Sequence, residues 1–331
     1  MTSYLSKIRW VGTMVRMASR SVRTLVVCLS ATVVLLVAGC MAGGHATGAP
    51  PQQTSIPVGQ STQSLESGGL IRTFHLYRPQ GLTDAAPLVV MLHGGYGDGE
   101  QAERAYNWDT EADTAGFLVA YPDGMDRAWN AGSCCGRPQR TGIDDVGFLT
   151  SMVATIAQQT PIDANRVYAT GMSNGAMMTL RLGCQTTLFA AIAPVAGTLL
   201  TDCSHAQPAS VLQIHGAADD RVPYNGGPGK ALTASGAPNV DGPSAPSVNA
   251  TWRDIDACSA AGTTTAGDVT TQTAACSGGR AVELITVAGA GHQWPGGRPS
   301  PLAQRIGDLP PPSTALNATD TIWQFFAAHP R

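Results

Sequence analysis

RVYATGMSNG, residues 166–175, is the stretch that decides the fold of this 331-residue chain. Its first half is apolar and β-prone, and its second half has the spacing G-x-S-x-G and opens a helix-like segment. This combination is typical of a nucleophile elbow, a tight turn from strand to helix that holds a serine hydroxyl above the edge of a sheet. The glycines let strand and helix pass closely without a Cβ clash. Ser173 is therefore the candidate nucleophile.

A serine nucleophile needs a base to take its proton and an acid to orient that base. The strand-like run 210–214 leads into HGAADDRVPY, which places Asp219 and Asp220 in a loop after the strand. The next such run ends in AGAGHQWPGG and delivers His292 in the same way. The order Ser, Asp, His along the chain is that of α/β-hydrolases. Only one of the two adjacent aspartates can face a single imidazole, so the acid is Asp219 or Asp220.

The developing oxyanion needs hydrogen-bond donors, which in this arrangement are backbone N–H groups. One belongs to the residue after the nucleophile, Asn174. The other belongs to the glycine-rich turn HGGYGDG that follows a predicted central strand, and it is the N–H of Gly95, with Tyr96 as the alternative.

Two further histidines and a second acidic pair have simpler predicted roles. His93 and His215 each end a buried strand, where an imidazole typically fixes loop backbone. Asp144 and Asp145 begin an apolar-periodic stretch, where a carboxylate caps the orphan N–H groups of a helix.

Strand-like runs alternate with helical stretches through the chain, which predicts a parallel sheet covered on both faces. The motifs LHGGYGDG, WNAGSCCG, DDVGFL, GMSNGAMM, APVAG, HGAADDRVPY and GHQWPGG follow one another between about Leu70 and Phe326. In this order they resemble the polyhydroxybutyrate depolymerase and feruloyl esterase family of secreted α/β-hydrolases, and in detail its actinobacterial lipoprotein esterases.

The resemblance implies an α/β-hydrolase fold, a mostly parallel central sheet with helices on both faces. It also implies a serine esterase that works through a Ser-His-Asp triad and an acyl-enzyme. The family pattern H-G-x-x-D-x-x-V-P-Y aligns with Asp219 and favours it over Asp220. Several esters remain open: hydroxyalkanoate oligomers, feruloyl or acetyl esters of polysaccharides, and short-chain esters. The alternative is a non-catalytic surface lipoprotein that uses the hydrolase scaffold for binding.

The N-terminal segment has the pattern of an export signal. A basic region precedes a short apolar run, 25–37, which is too short for a stable membrane anchor. The run ends in LVAGC, and the small residues before Cys40 resemble a bacterial lipobox. We expect a signal peptide at 1–39, a lipidated Cys40 with a flexible tether at 40–68, and a catalytic domain at 69–331. The lipid would hold the exported protein on the outer face of the bacterial cell membrane, and a released extracellular form is also open.

Six cysteines remain beyond Cys40, and an even set in an exported chain indicates disulfides. Cys258 and Cys276 flank a polar segment and are expected to close it. Adjacent cysteines rarely bond to each other, so we expect separate bonds from Cys134 and Cys135 to the remaining two, Cys184 and Cys203. No C-x-x-C pair is present, so the cysteines do not indicate zinc.

The loops around the predicted site offer aromatic candidates for a substrate wall: Trp129, Trp294 and, with less support, Tyr224. Ordinary packing is the alternative for each. We expect no metal and no cofactor, because neither acidic pair has the spacing of a metal site. A formal net charge of −3 gives no reason to expect nucleic acid as a partner. The expected partners are therefore an ester substrate and the membrane reached through Cys40, and the expected state is a monomer.

Overall fold

Six parallel strands form the middle of a ten-stranded sheet in the computed structural model, which describes residues 55–82, 84–230, 240–298 and 309–331. The strands are β1 (Gly59–Ser67), β2 (Leu70–Arg78), β3 (Ala86–Leu92), β4 (Leu118–Pro122), β5 (Ile162–Met172), β6 (Ala191–Val195), β7 (Ser210–Gly216), β8 (Gly227–Pro228), β9 (Asp241–Gly242), β10 (Gly262–Ala266), β11 (Val269–Ala275) and β12 (Ala281–Val287). The helices are α1 (Gly99–Ala105), α2 (Trp108–Ala115), α3 (Gly136–Thr141), α4 (Asp145–Gln159), α5 (Asn174–Gln185), α6 (Ala245–Ile255) and α7 (Ala318–Ala328).

The strand order is β1-β2-β4-β3-β5-β6-β7-β12-β11-β10, and β4 through β12 are parallel in it. Strands β3, β4, β6 and β7 are buried at every residue. Such strands read as continuous apolar runs, which is why the sequence predicts them. The carboxyl ends of parallel strands share one edge of the sheet, so the loops that follow β3, β5, β7 and β12 meet there.

Helices cover both faces of the sheet, as predicted. Strand β3 divides its side chains between them: Leu88, Val90 and Leu92 join the core under α4, α5 and α6, whereas Val89 and Met91 join the core under α1, α2 and α7. This alternation follows from the two-residue repeat of a strand. Each face therefore has its own apolar core.

The N-terminal edge of the sheet corrects the predicted tether. Strand β1 pairs with β2 residue by residue through a hairpin whose turn, Gly68-Gly69, has positive φ at both positions. Residues 59–67 were expected in the tether, but they belong to the folded domain. Strand β1 has one large apolar residue, Leu65, and its side chains alternate only between half-buried and exposed, so its apolar signal is weak. The expected signal peptide and Cys40 lie outside the described residues.

The opposite edge is a second hairpin that the sequence did not predict as strands. Strands β10 and β11 pair antiparallel around Gly267, and β11 continues the sheet from β12. The disulfide Cys258–Cys276 joins the end of α6 to the end of β11, as expected. This bond closes the base of the hairpin.

The other two disulfides differ from the expectation. Cys184 bonds to Cys203, and Cys134 bonds to its neighbour Cys135. The Cα atoms of Cys184 and Cys203 are 4.8 Å apart, within the ordinary range for a bridge, because the loop after β6 returns to the end of α5. Because Cys184 and Cys203 bond to each other, neither is free to bond to Cys134 or Cys135.

No helix in the described part of the chain is both long enough and apolar enough to cross a membrane.

Candidate active site

The turn between β5 and α5 has the geometry of a nucleophile elbow. Ser173 has φ 56° and ψ −118°, a conformation that a side-chain-bearing residue rarely adopts. A Cβ at Gly171 would lie 2.6 Å from the carbonyl carbon of Gly175. A Cβ at Gly175 would overlap the carbonyl oxygens of Leu92 and His93. Both glycines are therefore required for the close passage of strand and helix that presents Ser173.

Ser173, His292 and Asp219 form a continuous chain of hydrogen bonds. The Oγ atom of Ser173 lies 2.8 Å from Nε2 of His292, and Nδ1 of His292 lies 2.7 Å from Oδ2 of Asp219. The neighbouring Asp220 faces solvent and pairs with the Nζ atom of Lys230 at 2.7 Å. Of the two aspartates, Asp219 is therefore the one that contacts the imidazole.

The carboxylate of Asp219 is buried, and both of its oxygens have hydrogen-bond partners. Its Oδ1 atom accepts the N–H groups of Arg221 and Val222, each at 2.9 Å. Its Oδ2 atom faces two imidazoles, those of His292 and of His215, the latter at 3.4 Å. Burial alone would raise the pKa of Asp219, but the hydrogen bonds from His215 and His292 outweigh it and hold this pKa well below its usual value. Asp219 is therefore a carboxylate at neutral pH, which keeps the proton of His292 on Nδ1.

The two histidines that end β3 and β7 hydrogen-bond to loop backbone, as predicted. Nδ1 of His93 donates to the carbonyl of Gly94 at 2.7 Å, and its Nε2 accepts the N–H of Gly124 at 2.9 Å. Burial lowers the pKa of His93, which keeps the ring neutral and able to accept. His215 lies 2.8 Å from the carbonyl of Val222.

The loop after β3 brings backbone N–H groups to the elbow. A Cβ on Gly95 would lie 3.9 Å from the Cβ of Asn174, so these two residues are neighbours. Asn174 opens α5, where an N–H has no acceptor within the helix. The N–H of Tyr96 donates to the carbonyl of Arg127 at 2.8 Å, so it is already used. This contact favours Gly95 over Tyr96 as the second donor.

Trp129 does not line the cleft, contrary to the prediction. Its side chain is fully buried, its Nε1 donates to the carbonyl of His93 at 3.0 Å, and its ring packs against that imidazole. The Trp129 backbone exchanges two hydrogen bonds with the side-chain amide of Asn174, at 2.7 and 3.1 Å. Trp129 therefore fixes Asn174 and the loop after β3, and it does not border the cleft.

The loop that carries Trp129 is held by an ion pair and hydrogen bonds. Arg72 and Asp145 form a buried ion pair at 2.7 Å, and Asp145 also accepts the N–H of Asn130. The guanidinium of Arg181, on α5, donates to the Asn130 carbonyl at 2.6 Å. Asp145 therefore anchors this loop instead of capping α4, and only Asp144 caps, by accepting the N–H three residues on. The WNAGSCCG loop lies beside α5 as expected, but without a disulfide to it.

A cleft with two lobes opens above Ser173, and both lobes are bordered by Ser173, His292, Tyr96 and Arg127. The smaller lobe has a volume of about 290 Å³ and the larger about 420 Å³. Apolar side chains in the smaller lobe are Ala128, Met177, Val222, Val240 and Leu309. The larger lobe is bordered by Met172, Tyr106, Trp294, Gln101 and Arg298.

The two remaining aromatic candidates differ in position. Trp294 borders the larger lobe, packs against Tyr106 with ring centres 4.6 Å apart, and donates from Nε1 to Thr319 at 3.1 Å. Tyr224 borders neither lobe. Its hydroxyl is instead hydrogen-bonded to Thr286 at 2.9 Å, and its ring packs edge-on against His215. The prediction for Tyr224 is wrong for this reason.

Among the described residues, no group of three or more His, Cys, Asp or Glu side chains is arranged to hold a metal ion. The cleft brings together a serine hydroxyl, an imidazole and a buried carboxylate.

Comparison with known families agrees with this geometry. Residues 72–240, about half of the chain, match the family model described as esterase PHB depolymerase. The chain belongs to this esterase family.

Relatives within the family carry esterase names. The chain is 30% identical over 272 residues to the putative esterase NocK of Nocardia uniformis, covering 73% of this chain and 76% of NocK. It is 33% identical over 233 residues to feruloyl esterase B of Piromyces equi, covering 65% of this chain but only 41% of that enzyme. The solved acetyl xylan esterase from Aspergillus awamori has a TM-score of 0.55 at 17% identity, covering 81% of this chain and 99% of that one. That likeness concerns the α/β-hydrolase fold.

Two residues that the sequence analysis assigned to other roles have further contacts at the site. Tyr96 is 87% exposed at the junction of the lobes, and His215 lies against Asp219. The signal for Tyr96 was an aromatic residue inside a glycine-rich turn, and that for His215 was its place four residues before Asp219.

Proposed function

We propose that this protein is a serine esterase in which Ser173 is the nucleophile, His292 the general base and Asp219 the residue that orients His292. The observation that carries the proposal is the chain of hydrogen bonds from Ser173 Oγ through His292 to Asp219, at 2.8 and 2.7 Å, at the floor of a cleft. Family membership supports the same reaction class.

The mechanism follows from these contacts. Nε2 of His292 takes the Ser173 proton, and the alkoxide attacks the ester carbonyl. The N–H groups of Gly95 and Asn174 stabilise the oxyanion, and His292 protonates the leaving alcohol as the acyl-enzyme forms. His292 then takes a proton from water, which attacks the acyl-enzyme, and it returns this proton to Ser173 Oγ as the acid is released.

For the substrate we propose an ester of a small or aryl acid, with acetyl and feruloyl esters of polysaccharides first. Relatives are named feruloyl esterase and acetylxylan esterase. Lobes of about 290 and 420 Å³ can each hold an acetyl or an aryl acyl group. Hydroxyalkanoate oligomers and short-chain esters are the other substrates to test.

The test is hydrolysis by the purified protein of a panel: p-nitrophenyl acetate, butyrate and octanoate, methyl ferulate, an acetylated xylo-oligosaccharide and a 3-hydroxybutyrate oligomer. We expect Ser173→Ala to lower kcat/KM at least about 10³-fold on every ester that the wild type hydrolyses. Ser151→Ala, at an exposed position on α4, is the matched control and should leave kcat/KM unchanged. Equal rates for wild type and Ser173→Ala would contradict the proposal, and inactivity of both would favour the binding lipoprotein.

We also propose that residues 1–39 direct export and that lipid on Cys40 anchors the protein at the outer face of the cell membrane, with the catalytic domain starting near Gly59. The basic and apolar N-terminal pattern and the LVAGC sequence support this. Metabolic labelling with a radioactive fatty acid should label the wild type and not Cys40→Ala; label on both variants would contradict lipidation of Cys40.

A further inference from the structure

An aromatic side chain stands open to solvent at the cleft that contains Ser173. Tyr96 is 87% exposed, and the other exposed large hydrophobic side chains in the described residues, Val58 and Ile71, are aliphatic and belong to the N-terminal part of the chain. Tyr96 borders both lobes of the cleft together with Ser173. It is not needed for the apolar core, so its ring is available to a substrate.

The backbone that carries this ring is held by hydrogen bonds on both sides. Tyr96 has φ 66°, in the left-handed region that tyrosine seldom occupies. Its N–H donates to the carbonyl of Arg127 at 2.8 Å, and its carbonyl accepts Nε of Arg127 at 2.7 Å. Arg127 also pairs with Asp98, at 3.0 Å. Because the backbone at Tyr96 is fixed, only the side-chain torsions have to be ordered when a ligand packs on the ring.

The dimensions of the cleft indicate which part of a substrate reaches Tyr96. Lobes of about 290 and 420 Å³ can hold an acyl group but not a polymer, so the alcohol part of a polymeric substrate would lie along the open rim. Polar side chains, among them Gln101, Arg127 and Arg298, border the larger lobe beside Tyr96. A sugar ring matches this surface, because its C–H face packs on an aromatic ring while its hydroxyls bond to polar groups and water.

Two other occupants fit less well. An aryl acyl group would bury more of its surface inside the larger lobe, against Tyr106 and Trp294, than on an exposed ring. An aliphatic polyester chain has no flat face to pack against Tyr96.

We propose that Tyr96 is a stacking platform for a sugar ring on the alcohol side of the scissile ester. This inference rests on the proposed esterase function and its polysaccharide substrates, and it deepens that function by assigning a residue that binds the alcohol.

The test compares two esters that share the acetyl group, an acetylated xylo-oligosaccharide and ethyl acetate. Tyr96→Asn removes the ring and keeps a residue that tolerates positive φ, whereas Tyr96→Phe keeps the ring. We expect Tyr96→Asn to lower kcat/KM about tenfold more on the oligosaccharide than on ethyl acetate, mainly through KM. Tyr96→Phe should keep most of the wild-type kcat/KM on the oligosaccharide. Ile71→Asn, far along the sheet edge, is the control for removal of an exposed hydrophobic side chain.

A binding measurement separates this inference from the esterase proposal. In a Ser173→Ala background, calorimetry with the acetylated xylo-oligosaccharide should show about tenfold weaker binding for Tyr96→Asn and little change for Tyr96→Phe. If Ser173→Ala hydrolyses esters as fast as the wild type, the proposed function fails. If hydrolysis depends on Ser173, three results for Tyr96→Asn would overturn the sugar platform alone. These are an equal loss of kcat/KM on both acetyl esters, no loss on either, and a loss only on methyl ferulate.

Discussion

At the scale of single residues, the two adjacent aspartates after β7 have opposite environments. Asp219 is buried and bonds to His292, whereas Asp220 is half exposed and pairs with Lys230. We expect Asp219→Asn to lower kcat about 10⁴-fold, because an amide N–H facing Nδ1 favours the wrong tautomer of the imidazole. Asp220→Asn is the matched control and should keep kcat within about twofold, since an exposed ion pair contributes little. Steady-state kinetics with p-nitrophenyl butyrate decide, and a larger loss in Asp220→Asn would reverse the assignment.

His215 is the second imidazole at the proposed triad acid. Its Nε2 faces both the Val222 carbonyl, at 2.8 Å, and Oδ2 of Asp219, at 3.4 Å, so Nε2 carries the proton. Its Nδ1 has no hydrogen-bond partner among the described residues. We therefore expect His215 to hold Asp219 in position for His292.

Substitution of His215 tests this positioning role. His215→Leu should lower kcat about tenfold, because the buried carboxylate loses a donor, and leave KM unchanged, because His215 borders neither lobe. His215→Gln retains an N–H at a similar distance along the side chain and should restore most of kcat. Equal losses in both variants, or a loss that appears in KM, would show that His215 acts only through packing.

At the scale of elements, α1 and α2 bring acidic side chains together against the sheet. Burial and the neighbouring Asp109 raise the pKa of Glu103 to about 7, and Oε1 of Glu103 has no hydrogen-bond partner in the described part of the chain. The nearby His75 acts in the opposite direction and Gln60 donates to the cluster. The folded protein therefore holds a proton on Glu103 more tightly than the unfolded chain does.

The pH dependence of stability follows from this shift. Between the ordinary pKa of 4.5 and about 7, the folded state binds the proton that the unfolded state has released, so the free energy of unfolding falls as pH rises. We expect Glu103→Gln to be more stable than the wild type at pH 8 and to lose this advantage at pH 4. Urea unfolding at both pH values measures the difference. An advantage of the same size at both would exclude the ionisation of Glu103 as its cause.

The two long-range disulfides close loops of nearly equal length, with sequence separations of 19 and 18 residues. By loop entropy each should stabilise the folded state by about 3 kcal/mol. We expect Cys258→Ser with Cys276→Ser and the corresponding pair at Cys184 and Cys203 to lower the free energy of unfolding by similar amounts. Removal of Cys258–Cys276, at the hairpin edge, should leave kcat/KM unchanged. A loss of activity on its removal would indicate that the hairpin supports the cleft.

At the scale of the whole molecule, the parallel strands and the candidate site were predictable because each strand has a buried, largely apolar stretch and ends in a loop at one edge of the sheet. A buried strand is predictable because burial requires a run of apolar residues. Strand β1 and the β10–β11 hairpin were missed because they are polar edge strands that pair through backbone.

The disulfide pairing of the other four cysteines and the directions of some side chains were not predictable. The Cys184–Cys203 bond depends on where the loop after β6 returns, and the burial of Trp129 depends on how its loop folds over His93. Both are set by contacts between residues far apart in the chain, which local patterns do not carry. The exposed ring of Tyr96 is the same kind of feature.

The most direct measurement is the mass of the protein during turnover. The purified protein is mixed with excess p-nitrophenyl butyrate, quenched in acid within milliseconds and digested for peptide mapping. We expect a butyryl group on the peptide that contains Ser173, a matching burst of p-nitrophenol, and neither in Ser173→Ala. Turnover with no acyl group on Ser173, or a burst that persists in Ser173→Ala, would contradict the assignment of Ser173 as the nucleophile.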